Sequence, residues 1–135
     1  MADNTTLHYL SEEEERAIKQ SIPWDSIDCK IRDLVRFANE IKGIATIQSC
    51  AGHVQPLENG GFLIDAAHVA FRTTENITTR VLFDIAPKTG VTDAGLRYFN
   101  DGTFWIYIEV DPSERSRLYD LFRELQGDLD VRKVL

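Results

Sequence analysis

The dipeptide Asp101-Gly102, between two runs rich in aromatic and β-branched residues, restricts the fold more than any other feature. Asp-Gly is one of the strongest local signals for a tight turn between antiparallel strands. It predicts a hairpin that joins residues 92–99 to residues 103–110. A two-residue loop would also set the aromatic cross-strand pairs, which are Phe99 with Phe104 and Tyr98 with Trp105. The chain is therefore expected to build an antiparallel sheet.

Two further segments are typical of strands. Residues 44–47 are short and β-branched, and residues 62–72 follow a turn at Asn59-Gly60-Gly61. Both faces of the longer segment are apolar, with Ile64 on one face and Val69 on the other. We therefore expect residues 62–72 to form one long central strand, covered at least partly on both sides.

Helices are predicted on either side of these strands. Ser11 followed by Glu14 fits a capping box, so a first helix begins near Glu12 and ends before Pro23. Apolar residues recur at helical spacing over residues 27–41, which predicts a longer second helix capped by Asp25. Two more helices are expected, and a final edge strand after Gly127: the ranges are residues 77–85 and 111–127 for the helices and residues 129–134 for the strand.

Together the elements predict an α+β fold in a single domain, residues 1–135, in which residues 1–10 are flexible. From residue 62 onward the core order is β-α-β-β-α-β. In this order two helices cover one face of a mixed, mainly antiparallel sheet, which gives a two-layer structure. A chain of 135 residues is long enough to bury a core without disulfides or metal ions.

Composition limits the location and partners of such a chain. Fifteen basic and 22 acidic residues leave a net charge of −7, which disfavours duplex nucleic acid because binding there depends on phosphate neutralisation. Two cysteines are too few for a disulfide framework. We find no signal peptide and no segment apolar enough to span a bilayer, so we expect a cytoplasmic protein with reduced thiols and no membrane contact.

The best candidate for a functional site is the turn that contains Ser49, Cys50, Gly52 and His53. It puts a hydroxyl, a thiol and an imidazole close together at the end of a predicted strand, where folds of this kind often hold ligands. Gly52 would permit a backbone conformation that other residues avoid. The alternative is a plain turn, with Cys50 as a small buried side chain and His53 on the surface.

The helix–strand–turn segment of residues 31–54 resembles the wybutosine-pathway tRNA methyltransferase family. In that family the strand ends in Thr-x-Ser-Ser-Cys-Ser-Gly-Arg, which Thr46, Ser49, Cys50 and Gly52 match in register. The segment also resembles bacterial and phage proteins of unassigned function whose Ser-Cys-x-Gly-His turn includes an equivalent of His53. The resemblance implies a mixed α/β architecture, S-adenosylmethionine as cofactor and an RNA-modifying activity.

Three positions depart from the family pattern. Gln48 and Ala51 stand where the family has serines, and His53 stands where it has an arginine. An arginine is a permanent cation with a bidentate fork, whereas a histidine titrates near neutral pH. These departures and the acidic net charge favour a small polar or nucleotide-like ligand over a large tRNA substrate.

The turn is compatible with three kinds of chemistry. Ser49 and the N–H groups around Gly52 could cradle a phosphate or carboxylate, with His53 as a further donor. A metal site would need Cys50, His53 and a third ligand, for which His68 is the candidate. A cysteine nucleophile at Cys50 would need a base that the fold brings to it. We rank the cradle first and the nucleophile last.

Residues elsewhere could complete the site. His68 lies on the predicted central strand, as a hydrogen-bonded core histidine or as part of a pocket wall. Arg97 on the hairpin either packs its stem on the sheet or pairs with an anion. Trp105 and Tyr107 share one face of their strand, which could stack a base or line an interface.

Three functions remain open from the sequence. The first is a protein that binds a polar, anionic or nucleotide-like small molecule through Ser49, Cys50, Gly52, His53, His68 and Arg97. The second is an S-adenosylmethionine-dependent RNA-modifying methyltransferase relative. The third is a non-catalytic interaction or inhibitor protein, for example a phage-encoded one, whose acidic surface engages a basic partner. Independently of these three, the chain could form a homo-oligomer or bind a protein partner.

Overall fold

The computed structural model describes residues 8–74 and 82–134, and all structural statements below concern these residues. The strands form one four-stranded antiparallel sheet in the order β1-β4-β6-β5 and one separate hairpin of β2 and β3. The bounds are β1 Ile44–Cys50, β2 His53–Pro56, β3 Phe62–Asp65, β4 Ala67–Thr73, β5 Asp93–Tyr98 and β6 Phe104–Val110.

Three long helices accompany the strands: α1 Glu12–Gln20, α2 Cys29–Glu40 and α3 Ser116–Val134. Short 3-10 turns precede α2 and α3 and cover Ala86–Lys88. Residues 82–85 are also helical, while the rest of the helix expected over residues 77–85 lies outside the described ranges. None of the described helices is both long and apolar enough to cross a membrane.

The core lies between the sheet and the helices α2 and α3. Along β6 the side chains alternate, so that Phe104, Ile106, Ile108 and Val110 are buried while those between them are partly exposed. From the helical layer the apolar stripes of α2 and α3 pack against them: Ile31, Leu34, Val35 and Ala38, and Leu118, Leu121, Phe122 and Leu125. The predicted α+β, mainly antiparallel, two-layer architecture is confirmed.

The long strand expected over residues 62–72 is two strands with different partners. The chain leaves strand geometry at Ala66, so that β3 pairs with β2 and β4 enters the main sheet between β1 and β6. Both segments alternate in the same way along the chain, but β3 is exposed throughout whereas β4 is largely buried. The single-strand prediction was wrong because pairing partners are set by distant residues.

The final edge strand expected over residues 129–134 is also wrong. The helix α3 continues through Gly127 to Val134. Leu121, Leu125 and Leu129 stand four residues apart on one side of it, which is helical spacing. One glycine in a helix costs only about 1 kcal/mol relative to alanine, too little to end a helix whose apolar stripe continues beyond it.

The hairpin between β5 and β6 exists, but its register differs by one residue from the prediction. Tyr98 pairs with Phe104 and Arg97 with Trp105. The loop is longer than two residues, because the Phe99 N–H donates to the Thr103 carbonyl at 2.9 Å and Gly102 has a φ of 91°. A glycine in this left-handed conformation is typical of three-residue hairpin loops.

Two local details complete the frame. Asp28, not Asp25, caps α2 by accepting a hydrogen bond from the Lys30 N–H, because residues Trp24–Ser26 form a 3-10 turn before the helix. At the N-terminal end, the Leu10 N–H donates to the Thr73 carbonyl at 2.9 Å and the Leu10 side chain is buried. Residues 1–7 of the segment expected to be flexible lie outside the described ranges.

Candidate functional site: a cleft along the free edge of β1

A cleft of about 840 Å³ runs along the side of β1 that has no neighbouring strand. The connection from α1 to α2 forms the wall that faces β1, since the lining includes Pro23, which follows α1, and Asp28, which caps α2. The cleft wraps around the edge of the sheet, since Val35 lines it from the helical layer and Trp105 from the opposite face. Much of its wall is apolar, including Ile18, Ile22, Ile27 and Ile31.

The pairing of β1 with β4 is irregular in the part of β1 that lines the cleft. The register with β4 shifts between Thr46 and Gln48, so that Ile47 has no direct partner. Beyond this bulge Ser49 pairs with Val69 and shares the helical side of the sheet, whereas Cys50 shares the opposite side with its partner. Bulges are common beside functional sites because they redirect side chains.

The edge of β1 is closed at one end by Asn39 of α2. Its side-chain amide donates to the Thr46 hydroxyl at 2.7 Å and accepts from the Thr46 N–H at 3.1 Å. An edge strand presents every second backbone N–H and carbonyl away from its neighbour. From residue 47 to residue 50 the strand therefore offers the cleft backbone donors and acceptors as well as side chains.

The turn after β1 is shorter than the sequence suggested, because Ser49 and Cys50 belong to the strand. Gly52 is buried with a φ of 75°, and its N–H donates to the Cys50 sulfur at 3.4 Å. A Cβ at Gly52 would lie 2.7 Å from the Asp65 carbonyl oxygen and 2.8 Å from the Ala67 nitrogen. Gly52 thus lets the turn pack against the start of β4, and it does not line the cleft.

Three of the predicted site residues line the same cleft. Ser49, Cys50 and His53 all line the cleft, at the end where β1 gives way to β2. The His53 Nε2 lies 3.3 Å from an oxygen of Asp65, and both side chains are more than half exposed. The imidazole therefore stands at the mouth of the cleft beside a carboxylate.

The other predicted residues lie elsewhere. His68 is opposite Cys50 on β4 but does not line the cleft. Arg97 is exposed on β5, outside the cleft wall, and its guanidinium lies over the Phe99 ring, 5.3 Å from the ring centre. Residues 8–74 and 82–134 contain no group of three potential metal ligands, so Cys50, His53 and His68 do not form a metal cluster.

Two residues that the sequence did not include in the predicted site, Arg72 and Trp105, line the far end of the cleft. The sequence had singled out Trp105 only for a face that could stack a base or line an interface. Arg72 pairs with Ala45 at the start of β1, and one guanidinium nitrogen lies 3.6 Å from a Glu14 oxygen. Hydrogen bonds from Ser11 and, after them, the Arg72 charge hold the pKa of Glu14 below its ordinary value. Arg72 therefore has a carboxylate beside it at this end of the cleft. The signal in the sequence that could have indicated both residues is a polar or aromatic side chain on the face of a strand that alternates with the buried residues.

Comparisons with known proteins extend over the whole fold. No protein-family model matches the chain, and no curated protein is similar to it. Solved structures do match, among them the PH1069 protein from Pyrococcus horikoshii. The two have a TM-score of 0.59 at 11% sequence identity, over 89% of this chain and 92% of that chain. At this identity the likeness shows that the two chains share a fold over nearly their whole length.

Proposed function

We propose that the protein binds a small molecule with a flat, partly apolar body and a polar, anionic or nucleotide-like head in the cleft along β1. One observation carries the proposal: Ser49, Cys50 and His53 converge on a cleft of about 840 Å³ whose opposite end holds Trp105. Cavities of 300–1,000 Å³ with apolar walls and a few polar groups are typical of small-molecule sites.

The arrangement supports an orientation for this ligand. The part of β1 that lines the cleft runs from Thr46 to Cys50, four residues apart, which corresponds to roughly 13 Å along a strand. A planar ring would stack on Trp105 at one end of the cleft, because indole faces favour flat aromatic groups. The head group would then reach the hydroxyl of Ser49 and the imidazole of His53, with the exposed edge of β1 beside it.

Charge balance in the cleft favours a small ligand over a large polyanion. Arg72 is the one arginine or lysine among the described lining residues, and Glu14 lies beside it. His53 has Asp65 as its neighbour. Neutralising many phosphates needs a row of unpaired cations, so an RNA strand would find little attraction here. A single phosphate or carboxylate would need only one or two donors.

The second candidate, a relative of S-adenosylmethionine-dependent methyltransferases, has one observation in its favour. Ser49 and Cys50 carry the resemblance to that family, and both line the cleft. S-adenosylmethionine combines an adenine ring with a polar amino-acid head, which is the ligand class proposed above. It is therefore the first compound to test, with AMP as a nucleotide that lacks the methyl donor.

Isothermal titration calorimetry with S-adenosylmethionine and with AMP tests the proposal directly. We expect wild type to bind at least one of them, and Ser49→Ala and His53→Ala to weaken that binding at least fivefold. His8→Ala is the matched control, because His8 is an exposed histidine outside the cleft wall and should leave affinity unchanged. Failure of both compounds to bind wild type, or equal affinity in all three variants, would refute the proposal.

A further inference from the structure

The strands β2 and β3 form an arm, residues 53–65, that pairs with itself rather than with the main sheet. All eight strand residues of the arm are exposed. Isolated two-stranded hairpins are marginally stable in water unless something packs on them. The position of the arm outside the core therefore calls for a covering partner.

The two faces of the arm differ in character. The register pairs His53 with Asp65 and Gln55 with Leu63, so the first face carries three polar side chains and one leucine. The second face holds only apolar residues: Val54, Pro56, Phe62 and Ile64. Phe62 is 65% exposed, Ile64 55% and Val54 53%. Apolar faces of this kind are marks of interaction sites.

Charge narrows the kind of partner. Residues 53–65 contain no lysine or arginine, whereas Glu58 and Asp65 are acidic. Anionic lipid surfaces and nucleic acids are attracted by clusters of basic residues, so neither suits the arm. A charged protein surface would also leave its charges unpaired against four apolar side chains. The partner must offer an apolar face of similar size.

We propose that the apolar face of the arm packs against the same face of a second copy of this chain, forming a symmetric dimer. A two-fold contact uses one patch on both partners, so the face supplies its own complement. The two arms would stack as two small sheets about 10 Å apart. The His53–Asp65 pair lies on the outer face of each arm, and it would remain open to solvent.

The area of the face sets the strength of such a dimer. Phe62 alone exposes roughly 130 Å², and with its neighbours and the adjacent Leu57 the face offers on the order of 400 Å² per copy. A standard interface takes about 800 Å² from each partner. The arm therefore supports a reversible dimer that forms at micromolar or higher concentration, and it does not support an obligate one.

Sedimentation velocity from 1 to 200 µM measures this association. Wild type should move from a mass of 15.4 kDa toward twice that value as its concentration rises. Ile64→Asp should raise the dimer dissociation constant at least tenfold. Leu63→Asp is the matched control, because Leu63 is 49% exposed on the opposite face of the same arm and should leave the dimer intact. Val54→Thr keeps a β-branched side chain and should weaken the dimer more mildly.

Several results would overturn the dimer. Wild type could remain at 15.4 kDa at every concentration, or Leu63→Asp could disrupt association as much as Ile64→Asp. Arm-dependent sedimentation of monomeric wild type with anionic lipid vesicles would assign the face to a membrane instead. The arm adds no residue to the buried core cluster, so Ile64→Asp should keep the circular dichroism spectrum of wild type. Calorimetric titration of the Ile64→Asp monomer with S-adenosylmethionine and AMP tests the cleft without the dimer. A failure of the dimer and a failure of ligand binding can therefore be told apart.

Discussion

Cys50 on β1 lies directly opposite His68 on β4, on the side of the sheet that faces away from the core. Directly paired residues have Cβ atoms about 5 Å apart, and the next strand continues the row with Glu109. The Cys50 sulfur also accepts the Gly52 N–H at 3.4 Å. The thiol thus belongs both to this cross-strand row and to the wall of the cleft, which makes it a reporter of cleft occupancy.

Alkylation of the two cysteines should therefore respond differently to a ligand. Cys29 is exposed at the start of α2, whereas Cys50 is only partly exposed in the cleft. We expect iodoacetamide to modify Cys29 in free and bound protein alike, and a saturating cleft ligand to slow modification of Cys50 at least tenfold. Mass spectrometry of tryptic peptides measures both rates in one sample. Equal protection of both cysteines, or of neither, would argue against binding beside Cys50.

Replacement of Gly52 by alanine should destabilise the protein far more than replacement of Gly60, a glycine of the arm that also has a positive φ. Gly52→Ala brings a Cβ within 2.8 Å of backbone atoms at the start of β4, in addition to left-handed strain. Gly60 also has a positive φ, but a Cβ there meets nothing within 4 Å. We expect a loss of about 1–2 kcal/mol for Gly60→Ala from backbone strain alone.

For Gly52→Ala we expect about 1–3 kcal/mol beyond that strain, as is usual for overpacking. Urea unfolding of both variants gives the two free energies. Similar losses at the two positions would mean that the turn at Gly52 is not packed against β4 as described.

The buried carboxylate of Glu15 should make stability depend on pH. One Glu15 oxygen accepts from the Lys19 ammonium at 2.6 Å and from the Gly43 N–H at 2.8 Å. Burial raises the pKa of Glu15, but these hydrogen bonds and the charges of Lys19 and Lys42 outweigh it, so the pKa lies below its ordinary value. A lowered folded-state pKa gives stability above the unfolded-state pKa, and this stability is lost as pH falls through the folded-state value.

Glu15→Gln should therefore lower the free energy of unfolding at pH 7 by roughly 1.5–3 kcal/mol, the usual contribution of a hydrogen bond to a charged group. Thermal unfolding at pH 7 and at progressively lower pH should show the gap to wild type closing once Glu15 is protonated. Glu12→Gln, on the exposed part of the same helix, is the control and should change little. A gap that stays constant with pH would exclude the ionised carboxylate as its cause.

Local sequence signals located the helices more reliably than the strand partners. The capping box of Ser11 and Glu14 depends on residues three apart, and the structure contains both of its hydrogen bonds. The split between β3 and β4 depends on which distant strands are available, and alternation along residues 62–72 is the same for one strand or two. The predicted length of the β5–β6 loop was wrong for a more local reason. Gly102 adopts a positive φ in a longer loop, whereas Asp-Gly alone suggests a loop of two residues.

The candidate site was predictable in part for the same reason. Ser49, Cys50 and His53 are close in sequence, so their meeting needed only a strand followed by a turn. Arg72 and Trp105 reach the cleft through the order β1-β4-β6, which a single sequence does not reveal. Gly52 was predicted to belong to the site because glycine can adopt unusual backbone conformations. In the structure this conformation lets the turn pack closely against the start of β4.

The path of α3 beyond residue 127 leads to an unusual expectation, a single substitution that stabilises. Gly127 is exposed within the helix, and a Cβ there would meet nothing within 4 Å. Gly127→Ala should raise the free energy of unfolding by about 1 kcal/mol, because alanine loses less backbone entropy in a helix. Urea unfolding measures the change. Gly60→Ala is the comparison, because a Cβ there also meets nothing within 4 Å, but the positive φ of Gly60 should make alanine destabilising. A decrease for Gly127→Ala would mean that the chain leaves helical geometry at this residue, as a C-terminal glycine followed by a strand would require.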